Sequence, residues 1–206
     1  MKILFCKISS MKYYKGASEK DQPYNGGSFV AENGYGHEEY NFDPVDFRDG
    51  KQYCLGFVET KSTSKLKTND LHIERISGCS MMKDEDYAKD ILVIWCATTD
   101  LNETSVMGWY KNATVYRTYQ EFDFDNGYIQ HYNVLAKKEN CVLLPKGARH
   151  KRIWDAPTSK KCSYGFGQSM VWYANEEKAK NYINKLKEQI NQYYGDNWID
   201  KSVDDI

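Results

Sequence analysis

The stretch Ser105-Val-Met-Gly-Trp-Tyr-Lys-Asn-Ala-Thr-Val-Tyr-Arg117 constrains the fold more than any other part of the chain. Val, Thr, Tyr and Trp favour a pleated, half-buried surface, so this segment is expected to form a long strand within a sheet. Gly108 in its middle permits close approach of another backbone or of a flat ligand. Strand residues alternate sides, so Trp109 and Tyr110 face opposite ways and one of them belongs to a core. Trp109 is expected to face the ligand. Beside them, Asn112 offers an amide donor and acceptor, and Lys111 and Arg117 offer positive charge.

Shorter apolar runs predict further strands over 2–8, 52–60, 71–76 and 90–98, with a hairpin formed by 128–136 and 140–144 around Lys137-Lys138-Glu139. The 71–76 segment alternates apolar and polar positions, as a strand with one wet face does. Segment 9–49 is rich in turn chemistry: Asn25-Gly-Gly27, Asn33-Gly34, Asp43-Pro44 and Asp49-Gly50. It also holds Tyr13, Tyr14, Tyr24, Phe29, Tyr35, Tyr40 and Phe42, too many rings for a linker. It reads as an ordered, aromatic-rich flap over the sheet. The 145–170 segment reads as loop.

A single helix is expected over 175–194. Asn175 suits the N-cap, and Glu176 and Glu177 complement the positive helix end. Ala179, Tyr182, Ile183, Leu186, Ile190 and Tyr193 make an apolar stripe, with Gly195 as a C-terminal stop. The fold class is therefore α+β: one domain over 1–206, a curved, mostly antiparallel sheet or small barrel with the C-terminal helix packed on it.

Charge and cysteine usage bound the function. With 28 Lys+Arg against 29 Asp+Glu, the composition argues against a chain that coats nucleic acid by bulk electrostatics. A local basic groove is still open to it, because Lys146, Arg149, His150, Lys151 and Arg152 cluster while acid gathers at 84–86, 121–125 and the C-terminal tail. The six cysteines are widely spaced, with no CxxC. They read as small buried hydrophobes in a reducing cytoplasm. His37, His72, His131 and His150 are isolated, so no metal and no cofactor is assigned. The apolar run before Lys7 is too short for a signal peptide, and no apolar run is long enough to cross a bilayer.

The opening Phe5-Cys-Lys-Ile-Ser-Ser10, then Gly50-Lys-Gln-Tyr-Cys-Leu-Gly-Phe-Val-Glu59 and Leu71-His-Ile-Glu-Arg-Ile76, follow an order of strands that resembles the PUA-like superfamily. Within it the chain is most similar to EVE and YTH-type domains. Gly108 to Arg117 and Gly167-Gln-Ser-Met-Val-Trp-Tyr173 resemble N-terminal domains of modification-dependent restriction nucleases. The resemblance implies a first strand ending beside a ligand pocket, and a small barrel that holds one modified, flipped-out nucleobase among aromatic and polar groups.

A flipped base must be compensated by stacking and by hydrogen bonds to its edge. Trp95, Trp109, Tyr110, Trp172 and Tyr173 are the candidate walls, and Ser9, Ser10, Asn112, Gln168 and Ser169 the candidate edge contacts. Lys12, Lys111, Arg117, Arg149, Lys151 and Arg152 are the candidate phosphate contacts. The expected function is non-catalytic recognition of a modified base in DNA, in restriction or defence, with a nuclease as a conceivable partner. Two alternatives stand beside it. Asp49, Glu59 and Lys61 have the spacing of a Mg²⁺-dependent PD-(D/E)xK nuclease. A protein-interaction module, such as a toxin or inhibitor, would use the same aromatics at an interface.

Overall fold

A computed structural model describes residues 2–24, 36–60 and 70–205, and in it the aromatic strand is longer than its sequence pattern. Five of the strands are β1 (Ile3–Ile8), β2 (Pro44–Asp46), β3 (Gln52–Gly56), β4 (Tyr87–Thr98) and β5 (Thr104–Asp123). Three more follow: β6 (Ile129–Lys137), β7 (Cys141–Leu143) and β8 (Val171–Trp172). Among the described residues they form one sheet in the order β2-β3-β6-β5-β4-β1-β8, with β7 beside β5. Only the β1–β4 pairing is parallel. The α+β expectation holds in its coarse form. The sheet is open rather than a closed barrel.

Both faces of the central strands are covered, which explains their unbroken apolar runs. On one face, Leu4, Cys6 and Ile8 meet Val93, Trp95, Ala97 and Tyr110. On the other, Ile3 and Phe5 join Leu92, Ile94 and Trp109 beneath the C-terminal helix α2 (Lys180–Asn191), which contributes Ile183, Leu186 and Ile190. The short helix α1 (Lys146–Arg149) lies just after β7. Cys6, Cys54, Cys79, Cys96 and Cys141 are buried free thiols. Burial pushes the Cys6, Cys96 and Cys141 thiols up, which suits small hydrophobes rather than nucleophiles.

Several expected elements are corrected. The 71–76 strand is a 3-10 turn at Ile73–Arg75. Leu71, Ile73 and Ile76 are buried and the Leu71 amide donates to the Arg117 carbonyl of β5 at 2.8 Å, but among the described residues no strand forms a ladder with the segment. The expected hairpin does not form, because β7 pairs with β5 at Gly108 to Tyr110 instead of with β6. The absent side chain of Gly108 makes this possible: a methyl group there would collide with the Val142 carbonyl. Asn175 does not cap the helix; its side chain donates to the Arg75 carbonyl at 2.7 Å, and a 3-10 turn at Glu177–Ala179 leads into α2. The helix stops at Gln192, ahead of Gly195.

The described parts of segment 9–49 hold the bridges Ser10–Tyr24 and Ser18–Asp21, a 3-10 turn at His37–Tyr40, and β2. Asn25, Gly27, Phe29, Asn33, Gly34 and Tyr35 lie outside the described residues. Side chains link the ends of β1 and β3. Glu38 accepts from the Ser9 amide at 3.1 Å, and Asn41 exchanges two hydrogen bonds with Phe57, at 2.8 and 3.0 Å. Asn133 does the same for Val58, at 3.0 and 2.9 Å, and the Tyr119 hydroxyl accepts from the Thr60 amide. Amide side chains thus satisfy backbone groups that a further strand would otherwise pair.

Candidate functional site

The apolar register of β1 ends at Ile8, and Ser9-Ser10 turn the chain toward the flap. Ser10 and Tyr24 pair backbone to backbone at 2.8 and 2.9 Å, closing a loop whose interior is organised by Asp21. The Asp21 carboxylate accepts from the amides of Lys12 at 2.6 Å and Tyr13 at 2.8 Å. Opposite this loop, α1 delivers Arg149. Its guanidinium donates to the carbonyls of Leu144 (2.8 Å), Met11 (2.6 Å) and Lys12 (2.8 Å). Desolvation lowers the arginine's pKa from its ordinary value, while Tyr14 and Asp21 favour the charge. The third wall is the β4–β5 turn with Thr99 and Asp100.

These walls enclose a cavity of about 270 Å³. Buried Met11 and Met107 form its floor, and Lys12, Lys20, Lys146 and His150 stand around it. Tyr24, 43% exposed, is the one Phe, Tyr or Trp among its described lining residues, and His150 adds an imidazole ring. Asp21 is spent on backbone amides, and Asp100 lies 3.9 Å from Lys146 in an exposed pair. The cavity therefore favours an anionic ligand with an apolar portion.

Only part of the expected site is gathered here. Ser10, Lys12 and Arg149 line the cavity, and Ser9 is buried next to it. The expected aromatic walls do not open onto it. Trp95 and Tyr110 are fully buried and meet edge to face at 5.3 Å. Trp109, expected to face a ligand, is 1% exposed, stacked on Trp154 at 5.5 Å and against Tyr193 at 5.2 Å. The alternation of Trp109 and Tyr110 is as expected, but a sheet covered on both faces turns both rings into core. Trp172 is buried with its indole N–H on the Glu176 carboxylate, and Tyr173 packs under Arg75 at 4.5 Å while accepting from the His72 amide.

The remaining polar candidates have local structural partners or lie away from the cavity. Asn112 is exposed in a β-bulge at φ 51°, a conformation asparagine tolerates better than most residues. Gln168 and Ser169 are exposed in a loop, where the Ser169 hydroxyl accepts from the Val171 amide. Lys111 reaches the Ile190 carbonyl near the end of α2. Arg117 pairs with Glu74 at 2.9 Å and donates to the carbonyls of Met82, Lys83 and Glu85, so it is a clamp on loop 82–85. Lys151 and Arg152 are exposed beyond α1.

Two of the three expected nuclease residues, Asp49 and Glu59, lie at opposite ends of β3. Asp49 precedes β3 and bonds the Tyr53 hydroxyl, while Glu59 follows the strand's other end. The five residues of β3 alone span roughly 17 Å, far beyond the reach of one shared cation. Lys61 lies outside the described residues. Among the described residues no three His, Cys, Asp or Glu side chains form a metal-binding group.

The sequence does not single out Met11, Lys20, Asp21, Tyr24, Thr99, Asp100 or Met107 for this site, and it offers Lys146 and His150 only as members of a basic cluster. Lys146 and His150 carried a signal, since they bracket Arg149 within the basic stretch. Lys20 and Tyr24 join the cavity because the Ser10–Tyr24 backbone pair and the Asp21 carboxylate fold their loop back onto Lys12. Acid gathers elsewhere, in a groove of about 1010 Å³ lined by Asp43, Asp46, Asp49, Glu121, Asp123 and Asp125. No described helix is long and apolar enough to cross a membrane. No family model, curated protein or solved structure matches the chain.

Proposed function

We propose that this chain is a non-catalytic reader of DNA, which seats one extruded nucleotide bearing a modified base in the cavity at the end of β1. The reading takes the fold as PUA-like and the setting as restriction or defence. The observation that carries it is the cavity itself: a cationic rim of Lys12, Lys20 and Lys146 above an apolar methionine floor. Phosphate suits the rim, and a base suits the floor and the Tyr24 ring. Stacking contributes about 1–3 kcal/mol per base, enough to offset much of the cost of extrusion.

Titration of duplexes carrying a single methylated or hydroxymethylated base, beside unmodified duplex, single-stranded RNA and the free mononucleotides, tests this reading. A modified duplex should bind at least about tenfold more tightly than its unmodified counterpart, with an affinity that falls as salt rises. Equal affinity for modified and unmodified duplexes, or no binding to any modified duplex, would overturn it.

A further inference from the structure

The cations of the cavity are not equivalent. Lys12, Lys20 and Lys146 carry ammonium groups on partly or fully exposed side chains. Arg149 is 3% exposed, and its guanidinium is already committed to three carbonyls and the Met107 sulfur. Two of those carbonyls belong to Met11 and Lys12, whose chain is held from its other side by Asp21 through the amides of Lys12 and Tyr13. The backbone at Lys12 is thus fixed on its N–H side by a buried carboxylate and on its C=O side by a buried guanidinium. The Lys12 ammonium lies over the Tyr13 ring at 4.7 Å and the Trp198 ring at 5.9 Å, two rings that lie outside the cavity's lining, so it must swing off them to meet a phosphate there.

We infer that Asp21 and Arg149 are positioning residues: together they clamp the Met11–Tyr13 backbone so that Lys12, beside Lys20 and Lys146, meets a phosphate of the bound DNA. This rests on the reading of the cavity as a DNA site. Its consequence for Asp21 runs against simple charge reasoning. A carboxylate among lysines should repel DNA, so its removal should tighten binding. A carboxylate that holds Lys12 in place should weaken binding when removed.

The experiment is a double-mutant cycle on the full chain with the best modified duplex, repeated over a range of salt concentrations. Lys12→Ala should lose roughly tenfold in affinity, the scale of one hydrogen bond to a charged group. It should also lower the slope of log affinity against log salt by about 0.9. Asp21→Ala should reproduce both changes, and the double variant should bind no worse than Lys12→Ala alone, because residues that act as a unit are not additive. Arg149→Lys, which keeps the charge but loses the forked donor, should behave as Asp21→Ala does. Thermal unfolding of each variant identifies those that fold. Should Asp21→Ala not fold, Asp21→Asn enters the cycle in its place, since it keeps one acceptor oxygen and removes the charge.

Tighter or unchanged binding by the Asp21 variant, or losses that add in the double variant, would overturn the clamp and leave the DNA reading intact. Failure of the unaltered chain to bind any modified duplex would overturn both.

Discussion

Residues that look alike in sequence do different work once the chain folds. Arg117, Lys111 and Arg149 all read as phosphate contacts, yet Arg117 clamps a loop, Lys111 reaches a helix end and Arg149 holds backbone carbonyls. Trp109 gives the sharpest test at this scale. Its contacts with Trp154 and Tyr193 place it in the core, so Trp109→Ala should cost about 3–5 kcal/mol in chemical denaturation. A variant that kept its stability and lost only DNA binding would return Trp109 to the ligand side. The sequence carried the alternation of Trp109 and Tyr110 but not their burial. Burial depends on what covers each face, and local pattern does not record that.

At the scale of elements, strands were legible where apolar runs were long, as in β1 and β4, because two covered faces leave a continuous signature. The partner of β7 was not legible. A hairpin with β6 satisfies the local pattern equally well, and the choice of β5 depends on the missing side chain at Gly108 meeting Val142. The junction around 57–60 was equally hidden, since it is made by side-chain amides rather than by a ladder. Asn133→Ala would strand the amide and carbonyl of Val58, both in a buried setting. Destabilisation of about 2–3 kcal/mol is expected, with faster hydrogen exchange at the Val58 amide. Unchanged exchange there would mean that Asn133 does not hold the segment.

The whole molecule couples this junction to pH. Burial and the neighbouring His131 lower the His37 pKa from 6.5 to about 4. As pH falls, the unfolded chain takes up that proton first, so stability is level above the unfolded value of 6.5 and declines between 6.5 and about 4. Glu38 works in the opposite sense: desolvation raises its pKa, so the folded chain gains its proton first and recovers stability on acidification. Urea midpoints measured across this range should show a flatter acid limb for His37→Asn and a steeper one for Glu38→Gln. An acid limb unchanged by His37→Asn would remove the histidine from the account.

Charge is partitioned across the same molecule, with lysines around the β1 cavity and carboxylates in the groove beside β2. The near-zero net charge conceals this division, while the cluster at 146–152 hinted at it. The most direct test of the central claim is therefore reversal of charge at the exposed Lys20 and Lys146 together, read as affinity for a duplex with one modified base. Lys20→Glu/Lys146→Glu should fold like the unaltered chain and lose at least about a hundredfold in affinity, since each lost phosphate contact becomes a repulsion. Undiminished binding by that folded variant would contradict the claim that DNA enters this cavity.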